Sequence, residues 1–222
     1  MKERKWAFDL EVEGAESEPR TINWLLNLSD TAMACQDFES AILLLDRASA
    51  SAKGQLKLAE LYLDPEAELE IPVAERQEKA KQLLLGLANE EGAYAAEACA
   101  LLASLYASYP LTAVSYRLKA ERLKNGCVDG TKIQQLVPRI RRLGSDDPYG
   151  AYKVATELEY YEGHDVLALK KHLLQIAAET DCSFAGIAAL RFSELHDGDP
   201  CTALKYKKIA EKNGFPAILT RN

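Results

Sequence analysis

The 222-residue chain lacks the residues on which most enzyme chemistry would stand. No Gly-x-Gly-x-x-Gly, no Gly-Lys-Ser/Thr phosphate loop and no Gly-x-Ser-x-Gly elbow occurs, so nucleotide cradling and serine-hydrolase chemistry are without their minimum parts. The five cysteines (Cys35, Cys99, Cys127, Cys182, Cys201) form no Cys-x-x-Cys pair and show no metal-ligand spacing with the three histidines (His164, His172, His196). A zinc site needs four convergent ligands; no metal or cofactor is expected. Three of the cysteines stand in Ala- or Leu-rich helical contexts, where Cys behaves as a small hydrophobe. Apolar runs such as 83–88 and 98–105 fall well short of the roughly 20 residues of a membrane span. The charged start leads into Asp9, Glu11 and Glu13 rather than an apolar core, so it is not read as a secretory signal, and a cytoplasmic location is expected. His164 beside Asp165 would make a base with an orienting carboxylate, but no nucleophile converges on it. His196 borders an Asp-Gly-Asp-Pro turn, and His172 falls where a helix-packing aromatic is expected. The chain is therefore not expected to be an enzyme.

What the chain has is repetition. Residues 112–126 and 202–214 carry Thr-Ala, Tyr, and Ala-Glu at matching offsets (Thr112, Ala113, Tyr116, Ala120, Glu121 and Thr202, Ala203, Tyr206, Ala210, Glu211), and each ends on Asn-Gly. Ala41 with Ala48, Ala113 with Ala120, and Ala203 with Ala210 are two helical turns apart, so both members face one way and let a neighbouring helix approach closely. Ala80 with Leu87 fits in part, and Ala168 with Gln175 keeps only its first member. A second helical run precedes each, over 24–34, 56–63, 95–108, 151–161 and 187–195, making five helix pairs. Turn residues separate them, and Gly54, Gly92, Gly126 and Gly214 are expected to close the second helices. Ala80 and Ala113 are 33 residues apart and Ala168 and Ala203 are 35, the interval of a two-helix repeat, whereas Ala113 and Ala168 are 55 apart. The excess is an insert over 128–147 that predicts an extra helix, interrupted or kinked near Pro138. Trp6, Phe8, Leu10 and Val12 alternate with polar residues and Ala, which marks 1–19 as a separate, extended or partly ordered arm ahead of one helical domain over 20–222.

These Ala-rich helix pairs resemble the tetratricopeptide superfamily, and within it the Sel-one-like repeats, whose second helices end in Ala-Ala or Ala-Glu followed by Gly. Here those residues are Ala120-Glu121 to Gly126, Ala177-Ala178 without its Gly, and Ala210-Glu211 to Gly214. The resemblance implies an all-α fold, a right-handed α-α solenoid whose first helices line a concave surface and hold partner proteins. Transferred onto this sequence, that surface includes Asn23, Asp30, Leu56, Glu60, Glu97, Ser104, Tyr149, Tyr152, Thr156, Glu159, Tyr160 and Glu194. The tyrosines are the expected anchors, and an acidic, aromatic groove would prefer a basic or amphipathic segment.

Charge marks a second surface. Residues 113–144 hold eight basic side chains, Arg117, Lys119, Arg122, Lys124, Lys132, Arg139, Arg141 and Arg142, against two acidic ones, in a chain of net charge −7. Nucleic acid is the weaker reading of this patch, because the overall pI is near 5.2 and no aromatics interleave the basic residues. The leading expectation is a non-enzymatic adaptor or scaffold binding a protein. The alternatives are an immunity protein or chaperone for one bacterial toxin or effector, and RNA binding through 113–144.

Overall fold

The computed structural model describes residues 19–126, 130–143, 146–161, 163–196 and 198–215. The arm read over 1–19 lies, up to residue 18, outside the described residues, as does Cys127. Among the described residues there are eleven α-helices and no strand: α1 Pro19–Ala34, α2 Phe38–Arg47, α3 Ala52–Leu63, α4 Val73–Glu90, α5 Ala95–Leu105, α6 Pro110–Asn125, α7 Gly130–Arg142, α8 Pro148–Glu157, α9 His164–Glu179, α10 Ala185–Glu194 and α11 Pro200–Lys212. By backbone contact the chain divides into two compact units, Met1–Leu102 and Ala103–Asn222.

In the first unit the helices pack in chain order, α1 on α2, α2 on α3 and α3 on α4. The alanine stripe faces inward as its spacing predicts: Ala41, Ala48 and Ala80 are fully buried and Leu87 nearly so. Side-chain caps start α2 and α3. Asp37 accepts from the Ser40 N–H at 3.2 Å and Ser51 from the Gly54 N–H at 3.1 Å. Two glycine expectations need correction. Gly54 does not close a helix; it sits in the first turn of α3, where a Cβ would lie 2.1 Å from the Ala48 carbonyl oxygen. The left-handed residue that ends α4 is Glu91, at φ 50°, and not Gly92. The acidic loop between α3 and α4 is held from beneath by Arg76, a buried side chain whose Nη1 donates to the carbonyl of Ala67 at 3.0 Å.

In the second unit α6 packs on α8, α8 on α9, α9 on α10 and α10 on α11. The packing of α6 on α8 thus passes over the insert. Helix α7 lies against α9 through Ile133, Val137 and Ile140, all buried. It runs as one helix through Pro138, without the expected interruption. Pro opens α6, α8 and α11 at the position where its missing N–H costs nothing. Gly126 and Gly214 adopt φ 66° and 80°, the left-handed conformation expected of them. Ala113, Ala120, Ala203 and Ala210 are buried, whereas Ala168 is half-buried and Gln175 exposed, so α9 lacks the second small contact. Asp147 joins two helices: its Oδ1 accepts from the Gly150 N–H at 2.7 Å, capping α8, and its Oδ2 accepts from both the N–H and the hydroxyl of Thr112 at 2.9 Å.

Candidate protein-binding groove

Three helices, α1, α3 and α5, supply the walls of an open groove of about 520 Å³ in the first unit. Met33 comes from α1, Lys57, Glu60, Leu61 and Leu63 from α3, and Leu101 from α5, with Asp64 at one end. Lys57 and Glu60 share a face because they are three residues apart on a helix. Lys57 is already engaged: its ammonium pairs with Asp30 of α1. Glu60, by contrast, has no hydrogen-bond or ion-pair partner among the described residues, nor has Glu97 of α5. Partial burial raises the pKa of Glu60 above its ordinary value; the charge of Glu97 pushes the same way and Lys57 opposes. Next to Asp64 runs the loop carrying Glu66, Glu68 and Glu70, all exposed, with Asp64 Oδ1 accepting from the Glu66 N–H at 2.9 Å.

The tyrosines are placed differently. In the second unit Tyr149 and Tyr152 of α8 are half-buried against Phe184, with ring centroids 4.9 and 5.7 Å away. Arg191 of α10 lies 5.5 Å from the Tyr152 ring and donates to Thr156 Oγ1 and Glu159 Oε1, both at 3.2 Å. Lys170 takes the same Glu159 oxygen at 3.2 Å. Lys153 donates to the Tyr116 hydroxyl at 2.7 Å. Tyr160 is the most exposed of the set, yet Arg122 covers its ring at 4.0 Å while binding Glu157 at 3.2 Å. The structure therefore brings Tyr149, Tyr152, Thr156 and Glu159 together, but round partners within the protein. Phe184 and Arg191 were missed from the sequence. The signal was there, since each lies 35 residues beyond a partner, Tyr149 or Thr156, one repeat interval on.

Other expected positions separate likewise. Asn23, Asp30, Ser104 and Glu194 are exposed, but Leu56 is buried and belongs to the core. Of the basic patch, Arg117, Lys124, Arg139 and Arg141 are exposed, Lys119 and Arg122 half-buried, and the side chains of Lys132 and Arg142 lie outside the described residues. His172 is exposed on α9, not packed as expected. His164 is open to solvent, its Nδ1 4.0 Å from Asp165. The His196 ring lies 4.4 Å from Phe192, and burial, with Lys171, lowers its pKa against the pull of Asp199. Among the described cysteines Cys99 is buried, Cys182 half-buried, and Cys35 and Cys201 exposed. Among the described residues no helix is long and apolar enough to cross a membrane. Comparison with protein-family models, with curated proteins and with solved structures finds no match.

Proposed function

We propose that this protein is a non-enzymatic adaptor that holds a partner protein on the face made by the first helices of its repeats, in the groove between α1, α3 and α5. In this reading the chain is a right-handed α-solenoid of about five helix pairs of the tetratricopeptide kind. The observation that carries it is that the groove is walled by α1, α3 and α5, with Asp64 at one end, and that Glu60 and Glu97 beside it make no hydrogen bond or salt bridge among the described residues. A face whose charges were matched internally, as those round Arg191 are, would offer a partner less. The test is affinity purification from the native cell with the wild-type chain and with Met33→Ser plus Leu101→Ser, both half-buried wall positions. Capture should fall by ~10-fold or more, the effect of losing about 1.4 kcal/mol at an interface centre, with the helical circular dichroism unchanged. Undiminished capture would remove the groove from consideration.

A further inference from the structure

We infer that the occupant of this groove is a cationic amphipathic helix, with an apolar stripe seated on Met33, Leu63 and Leu101 and Lys or Arg side chains flanking it. The inference rests on the groove reading above and specifies its partner.

Two features of the site select that chemistry. The first is the apolar wall: Met33, Leu63 and Leu101, half-buried side chains from three helices, lie over the buried Leu61, and Met33 is able to adapt its shape to what it meets. Such a surface takes the i, i+3, i+4, i+7 face of a helix. No sheet edge exists among the described residues of this unit to pair with an extended strand. The second is charge. Glu60 and Asp64 line the groove, Asp30 and Glu97 stand beside it, and among the described residues that line it the cation is Lys57, which Asp30 already holds. The adjoining loop adds Glu66, Glu68 and Glu70, and Arg76, which anchors it, is buried beneath. Partial burial is the main reason the pKa of Glu60 is raised, and the like charge of Glu97 adds to it against the opposing pull of Lys57. An ammonium or guanidinium brought between the two glutamates relieves their repulsion and gains charge-assisted hydrogen bonds. An anionic ligand such as nucleic acid or an acidic lipid surface would meet like charge instead.

The test uses the full chain and three synthetic peptides of about 18 residues, five helical turns, sharing one leucine face and differing only in having Lys, Gln or Glu at the flanking positions. Binding is read by fluorescence anisotropy at low and high salt. The Lys peptide should bind ~10-fold more tightly than the Gln peptide at low salt, lose most of that advantage at high salt, and the Glu peptide should bind least. Glu60→Gln with Glu97→Gln, neutral and exposed positions that leave the core untouched, should bring the Lys peptide to within ~2-fold of the Gln peptide. If the Lys advantage is absent, or survives in the double variant, the charge inference is overturned. The groove reading then still stands, provided Met33→Ser plus Leu101→Ser abolishes binding of the Gln peptide. If no peptide binds, the cationic-helix inference falls, and the native-cell capture experiment decides separately whether the groove does.

Discussion

At the scale of single residues, glycine shows how one side chain's absence can mean opposite things. Gly54 and Gly86 are both helical. A Cβ on Gly54 would press into the Ala48 backbone at 2.1 Å, whereas a Cβ on Gly86 meets nothing within 4 Å. Gly86→Ala should therefore stabilise the protein by about 0.5–1 kcal/mol through helix propensity. Gly54→Ala should destabilise it by about 1–3 kcal/mol despite the same propensity gain, because backbone cannot move aside as a side-chain tip can. Urea unfolding of the two variants checks both signs. Turn chemistry had suggested Gly54 as a helix end; its real constraint is contact with Ala48, which no local pattern displays.

At the scale of elements, the joints between helices are polar and few. Asp147 caps α8 and also holds Thr112 in the first turn of α6. Asp147→Ala should cost about 3 kcal/mol, a lost cap plus donors left buried, and Thr112→Val, which removes only the hydroxyl bond, about 1 kcal/mol. Chemical unfolding of both, compared with the Gly54 variant, would rank them. A second joint titrates. The Tyr206 hydroxyl donates to Glu179, and that bond, with lesser help from Gln175 and Lys205, holds the Glu179 pKa below its ordinary value. A depressed folded pKa means the unfolded state takes up the proton first as pH falls. The stabilisation is thus complete above the ordinary carboxylate pKa of about 4.5 and is lost as pH drops through the lower folded value. Tyr206→Phe should accordingly flatten the acid limb of a stability–pH profile measured by thermal melting below pH ~5. Much of this layer was legible. Helical period marked the elements, and the long interval from Ala113 to Ala168 marked an insert that α6 and α8 pack past. What periodicity could not reveal was which polar side chains are satisfied, because Arg191 meets Thr156 and Glu159 across two helices. The tyrosines thus looked like an open site from sequence, and the groove of α1, α3 and α5 emerged only when its helices were assembled.

At the scale of the whole molecule, the choice lies between an acidic groove and a basic surface as the place where a partner docks. Net charge favours neither, since −7 overall is compatible with a basic patch on one face. Saturation decides. Arg122, central to the patch in sequence, is held by Glu157 and stacked on Tyr160, and α7, which carries Arg139 and Arg141, has no aromatic residue on which a base could stack. Phosphate binding gains its strength by releasing counterions from several contacts at once, so removal of two exposed arginines from a true nucleic-acid surface would be costly. Arg139→Ser with Arg141→Ser should leave partner capture within ~2-fold of wild type, and the wild-type protein should give no salt-sensitive mobility shift with single-stranded RNA. Glu60→Lys with Glu97→Lys should abolish capture, because two cations would then face the cation of the partner. The reverse pattern, capture lost with the arginines and kept with the reversed glutamates, would move the binding surface to α7 and make the groove a feature of packing alone.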